Sequence, residues 1–127
     1  MGDITKYFSR KEFACKCGCG FATVDIELIE VLQTLRYKFN KPVTITSGCR
    51  CREYNEVVQR RANKNYVPYS SKSKHMQGIA ADIVVEMVSA SDVCRYLDSV
   101  YSDRFGLGKY DEFTHIDVRS KKARWRG

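Results

Sequence analysis

The sequence predicts an α+β fold, a small and mainly antiparallel sheet with flanking helices. Three observations lead there. A chain of 127 residues suits one domain with a single core and is too short for two ordinary ones. Its 43% hydrophobic and 29% charged residues are the composition of a soluble globular protein, and no Pro-rich, Gly/Ser-rich or repeated segment marks a linker or a solenoid. Helical patterns alternate with strand patterns, but the strands are too few and too scattered for a doubly wound sheet. One domain over residues 1–127 is expected, with an ordered core over about 7–125.

The elements follow in order. "SRKEF" has the Ser-x-x-Glu form of a capping box, so Ser9 to Glu12 opens a short helical turn before the Cys/Gly loop. The first long helix is expected from Val24 to Phe39, where Leu28, Leu32, Leu35 and Phe39 recur at three-to-four spacing as a core stripe. Pro42 ends what precedes it, and the β-branched "VTIT" behind it predicts a strand running into the turn "SGCRC". A second helix is expected from Glu53 to Ala62, and the polar "NKNYVPYSSKSK" then reads as a loop able to lie over a cleft. "IAADIVV" is apolar in succession, the pattern of a strand covered on both faces. "SASDVCRYLDSVY" predicts a third helix, capped by Ser89 or Ser91, with Val93, Cys94, Leu97 and Val100 facing inward. "GLGKYDEFTHIDVR" reads as a turn into a last strand.

The formal net charge is +7, and "RSKKARWRG" supplies Arg119, Lys121, Lys122, Arg124 and Arg126 without one acid. This balance suits polyanionic surroundings such as nucleic acid, anionic lipid or acidic cell-wall polymers, and equally a solvated basic end that keeps the protein soluble. No recognition-helix signature or aromatic-basic strand pattern supports a nucleic-acid partner, so none is expected. "MGDITKYFSRKEF" lacks the uninterrupted apolar stretch of a secretory signal or a membrane span, and neither is expected.

Six cysteines are many for this length. Cys15, Cys17 and Cys19 alternate in "CKCGCG", Cys49 and Cys51 flank Arg50, and Cys94 sits in the third helix, where a core position is expected. Without an export signal, disulfides are not the default. Reduced packed thiols, a disulfide and a second zinc held by thiolates all stay open, although the spacing lacks the paired C-x-x-C knuckles of familiar structural zinc sites.

The chain has two histidines, His75 and His115, each at the edge of an expected strand beside acids. Two imidazoles and one carboxylate, with a position left open, form the ligand set of a catalytic zinc site. His75 and Asp82 stand an odd number of residues apart, which would point them to opposite faces of one continuous strand. They converge only if His75 lies on the loop before the strand, with Gly78 free to bend and Ala80 leaving little bulk. His115 and Asp117, two apart, share a face, so the last strand can bring His115 toward the other two with Asp117 nearby. Glu112 enters the same strand, where a carboxylate beside a zinc-activated water can accept its proton and pass it to a leaving amine. On residue types alone, a structural histidine or an Asp82 that caps a turn fits as well.

"SKHMQGIAADI" matches S-x-H-x-x-G-x-A-x-D and "EFTHIDV" matches [D/E]-x-x-H-x-D. In that order they resemble the zinc DD- and LD-peptidases of the D-alanyl-D-alanine carboxypeptidase family, whose fold is shared with the Hedgehog signalling domain. "FSRKEFACKCGCG", "PVTITSGCRC", the Asn of "REYNEVV" and "DVRSKKARW" also resemble segments of that family's small single-domain members, so the likeness covers about Phe8 to Trp125. The resemblance implies one catalytic zinc bound by His75, Asp82 and His115, with Glu112 as general base and Asp111 as the neighbouring carboxylate if the register is off by one. It further implies that Ser73 supports a ligand and that Arg50 faces the site, where its guanidinium can hold a substrate carboxylate or an oxyanion. This sequence departs from many relatives in the length of "VVQRRANKNYVPYSSKSKH", in Cys49 where an aromatic is frequent, and in Glu112 where Asp is common. Trp125 and Arg124 are expected to pack against the domain.

By that resemblance, the expected function is hydrolysis of peptide bonds in peptidoglycan stem or cross-bridge peptides, as a DD- or LD-carboxypeptidase or endopeptidase. The alternative is a non-catalytic, zinc-containing cell-wall-binding module of the same fold. A chain made in the cytoplasm without a signal peptide fits a phage endolysin or virion lysin that reaches the wall through lysis, a holin or virion delivery. A monomer is expected by analogy.

Overall fold

The computed structural model describes residues 3–127. Among them, three helices pack with one five-stranded sheet, the α+β architecture expected. The helices are α1 (Ile26–Phe39), α2 (Arg52–Ala62) and α3 (Ala90–Val100). The strands are β1 (Val43–Ser47), β2 (Ala80–Val85), β3 (Gly106–Lys109), β4 (Thr114–Asp117) and β5 (Ala123–Arg126), in the spatial order β1-β2-β4-β3-β5. Three pairings are antiparallel and β3 with β5 is parallel, so the sheet is mixed but mostly antiparallel.

Local chemistry sets the boundaries. The Glu12 carboxylate accepts the Ser9 N–H at 2.7 Å, which starts the short 3-10 turn Arg10–Phe13 and drops Phe13 into the core. Helix α1 begins at Ile26 because Asp25 caps it, accepting the Glu27 N–H at 2.8 Å, and it stops where Asn40 turns left-handed ahead of Pro42. Its buried stripe of Leu28, Ile29, Val31, Leu32 and Leu35 meets Ile83 and Val85 of β2, Val93 and Leu97 of α3, and Ile116 of β4 in one core. Ser89 is the cap of α3, its hydroxyl accepting the Asp92 N–H.

Two expectations change. The stretch after Phe105 holds a β3–β4 hairpin and a further strand β5, not one last strand. Glycine has low strand propensity, so "GLGK" did not read as a strand, yet its ladder with β4 is regular. Val100 is 45% exposed, because α3 ends there and Tyr101 packs against the core instead. Cys94 is half-buried, its thiol 3.7 Å from the Thr114 hydroxyl.

Candidate metal centre

Strand register brings the ligating side chains together. Asp82 of β2 lies directly opposite His115 of β4, and Ala80 opposite Asp117, so these four share one face of the sheet. On the other face Ala81, Ile83 and Ile116 enter the core. The third side chain arrives from outside the strand, as the odd spacing required: His75 sits in the 3-10 turn Lys74–Gln77, and Gly78 closes that turn at φ +71°. A side chain at Gly78 would also place its Cβ 2.8 Å from Thr23, so both backbone and space call for glycine there. Strand β1 contributes a bulge between Ile45 and Ser47, which sets Ser47 against Asp82.

His75 Nε2 lies 3.2 Å from Asp82 Oδ1, and His115 Nδ1 lies 3.0 Å from the same oxygen. The three ligand atoms are within 4.8 Å of one another, and all three residues are buried. The remaining ring nitrogens are fixed from behind: His75 Nδ1 donates to the Gly48 carbonyl at 2.6 Å, and His115 Nε2 donates to Asp117 Oδ2 at 2.8 Å. Outer partners of this kind select the tautomer and aim the free nitrogen at a metal. The donor set therefore fits a metal ion, with His75 Nε2, Asp82 and His115 Nδ1 as ligands, and two nitrogens with one carboxylate suit zinc.

Behind the ligands, Asp117 is fully buried and accepts from Arg119 through Nε at 2.7 Å and Nη2 at 2.8 Å. Arg50 approaches from the other side, with Nη2 3.5 Å from Asp82 Oδ2, Nη1 3.3 Å from Asn55 Oδ1 and Nε 3.3 Å from Ser47 Oγ. Ser73 Oγ accepts the His75 N–H at 3.3 Å and so holds the ligand turn.

The peptidase M15 family matches this chain over residues 6–117. The chain belongs to the peptidase M15 family. That membership implies a metallopeptidase and agrees with the buried His75–Asp82–His115 group. Comparison with curated proteins and with solved structures gives no match.

In this M15 member the centre opens on a cleft of about 440 Å³. Arg50, Lys72, Lys74 and Arg119 give it a basic lining, and Tyr110, Phe113 and Trp125 form an aromatic wall. Burial pushes the Asp82 carboxyl up, but hydrogen bonds from His115 and His75 outweigh it and hold the group well below the usual carboxylate range. Asp117 is likewise pushed up by burial and brought well below that range by His115 and Arg119. For His115, burial favours the neutral ring, but hydrogen bonds to Asp117 and Asp82 raise it above its ordinary value.

The seven acidic, imidazole and hydroxyl groups singled out in the sequence do not all meet. His75, Asp82, His115, Asp117 and Ser73 gather at the centre, whereas Glu112 and Asp111 stand exposed in the β3–β4 turn, beside Tyr110 and Phe113. Among the described residues, no hydrogen bond or ion pair fixes the Glu112 carboxylate. The sequence reading missed the roles of Arg119, Tyr110 and Trp125. Its clue was the alternation Gly106-Leu107-Gly108: a Cβ at Gly108 would meet the Trp125 indole at 2.4 Å, and one at Gly106 would meet Asp117 at 2.5 Å. Gly108 makes room for the indole to reach within 5.2 Å of the His115 ring, centroid to centroid, and Gly106 makes room for the Asp117–Arg119 pair.

Proposed function

We propose that this M15 metallopeptidase uses zinc to hydrolyse peptide bonds in peptidoglycan stem or cross-bridge peptides. The observation that carries the proposal is the convergence of His75 Nε2, His115 Nδ1 and Asp82 beside Arg50, at the floor of a basic cleft with one aromatic wall. Zinc, when bound, acidifies a water to a pKa of about 7 and polarises the scissile carbonyl. Arg50 presents its guanidinium to the substrate carboxylate or to the oxyanion that develops during attack, held in aim by Asn55 and Ser47. Glu112, exposed on the β3–β4 turn outside the ligand cluster, is the base that takes the water's proton and returns it to the leaving amine once that turn brings it to the water. Lys72 and Lys74 attract an acidic stem peptide, and Tyr110, Phe113 and Trp125 exclude water from one side.

A net charge of +7 suits an anionic wall. No helix among the described residues is long and apolar enough to cross a membrane. We assign the protein to the phage endolysins or virion lysins, reaching the wall after lysis, through a holin or on a virion, as a monomer that binds no nucleic acid.

Mass spectrometry of purified muropeptides incubated with the zinc-loaded protein, and in parallel with Glu112→Ala, tests the reading. Loss of a terminal alanine or split stems, absent with the variant, supports it and names the bond. Intact muropeptides with zinc bound, together with retention of the protein on cell walls, would replace the enzyme by a wall-binding module.

A further inference from the structure

The chain holds a second convergence of ligating atoms, unused by the peptidase reaction. Cys15, Cys17, Cys19 and Cys51 place their sulfurs within 4.8 Å of one another. Three separations are 3.5 Å (Cys15–Cys17), 3.6 Å (Cys17–Cys51) and 3.8 Å (Cys15–Cys51). A tetrahedral ion with metal–sulfur bonds of about 2.3 Å sets its sulfurs about 3.8 Å apart, whereas a disulfide needs about 2.05 Å. These spacings are those of ligands around one ion.

The local backbone explains how a C-x-C-x-C run reaches this arrangement. Along an extended strand alternate residues stand about 6.6 Å apart, too far for one ion. Here Gly18 and Gly20, at φ +84° and +91°, fold the run back, and the Cys15 N–H bonds the Phe21 carbonyl at 2.7 Å to close the loop. The fourth sulfur comes from the residue that caps α2. Backbone donors serve the sulfurs: the Cys51 N–H reaches Cys15 Sγ at 3.4 Å, and the Tyr54 N–H reaches Cys51 Sγ at 3.4 Å. The positive end of α2 thus faces a thiolate.

We propose that Cys15, Cys17, Cys19 and Cys51 form a closed structural zinc site, separate from the His75–Asp82–His115 centre. Four thiols give up four protons to solvent and bind one Zn²⁺, leaving a complex of net charge 2− flanked in sequence by Lys16, Arg50 and Arg52. Four protein ligands leave no position for substrate, so the ion holds structure. What it holds is the 15–21 loop against the turn Gly48–Cys51, whose Gly48 carbonyl fixes the His75 ring and whose Arg50 faces the cleft. Cys49, buried with its thiol donating to the Phe21 carbonyl at 3.0 Å, and Cys94 stay outside the site.

Metal analysis of the protein purified under reducing conditions and loaded with zinc decides the matter. Two zinc ions per chain are expected in the parent, one in Cys17→Ser and one in His75→Ala. Cys17 is exposed, and far-ultraviolet circular dichroism checks that its variant folds. Cobalt loading adds a readout that needs no variant: an intense thiolate-to-cobalt charge-transfer band is expected in the parent and in His75→Ala, and is absent from Cys17→Ser. One zinc per chain without that band, whether intact mass shows disulfides or six titratable thiols, overturns the proposal and leaves the peptidase reading untouched.

Discussion

The turn Gly48–Cys51 serves two clusters of ligating side chains at once, and they are built differently. At the histidine centre both histidines have a second partner behind them, the ligands lie on or beside paired strands, and an Arg and a cleft stand in front. At the cysteine cluster the sulfurs come from loop and helix cap, with backbone N–H groups as their supports. A site meant for turnover must leave one side open and therefore fixes its ligands from the other. One that only holds the chain together can spend every position on protein.

The contrast breaks most visibly at the ligands. His75→Ala should lower peptidase turnover by about 10³-fold or more, because several kcal/mol of transition-state stabilisation go with the metal. Cys17→Ser should keep measurable turnover. Steady-state assays on both variants at equal folded concentration check this, and the reverse order would dissolve the distinction. Next, Glu112→Gln should reduce kcat by about 10²- to 10⁴-fold while the zinc content stays at the parent value, measured by kinetics and metal analysis on one preparation. A small effect would shift the base to Asp111.

Smaller effects sharpen the comparison. Asp117→Asn should weaken zinc affinity or activity by about 10- to 100-fold, since it removes the carboxylate that orients His115; competition with a chelating dye reads it. For pH the sign follows from His115. Its pKa is raised, so the His115 pairing stabilises the fold fully below about 6.5 and loses that contribution as pH rises through the folded value. The depressed Asp82 and Asp117 act the other way, losing their contribution as pH falls through their folded values. A metal needs His115 Nδ1 without its proton, so affinity at the histidine centre should fall by about tenfold per pH unit below the raised pKa. Zinc competition titrations across that range measure the slope, and a flat profile would contradict it. Last, Gly108→Ala should cost about 1–3 kcal/mol by displacing the Trp125 indole, read as a lower Tm and an altered KM with zinc content unchanged.

Much of the histidine centre was legible in the sequence because an odd spacing and a glycine are enough to require His75 on a turn, and an even spacing puts His115 and Asp117 on one face. The three helices were legible too, since Leu28, Leu32 and Leu35 or Val93 and Leu97 recur at helical spacing. Strand β3 was not, because Gly106 and Gly108 are chosen for the neighbours they admit, and propensity sees only what they lack. Arg119 read as part of a basic tail, and although the family resemblance implied that Trp125 packs against the domain, nothing in its spacing tells that β5 runs parallel to β3 and sets it beside Gly108. The cysteine cluster stayed open because its geometry depends on two left-handed glycines and on a residue far along the chain.

The pairing of Asp82 with His115 carries a consequence for how the chain finds its sheet. A slip of one residue between β2 and β4 would send Asp82 and His115 to opposite faces and scatter the ligands. An ion that binds only the aligned sheet stabilises that alignment by mass action. A bound metal would thus favour the aligned β2–β4 pairing over its slipped alternatives before any substrate arrives.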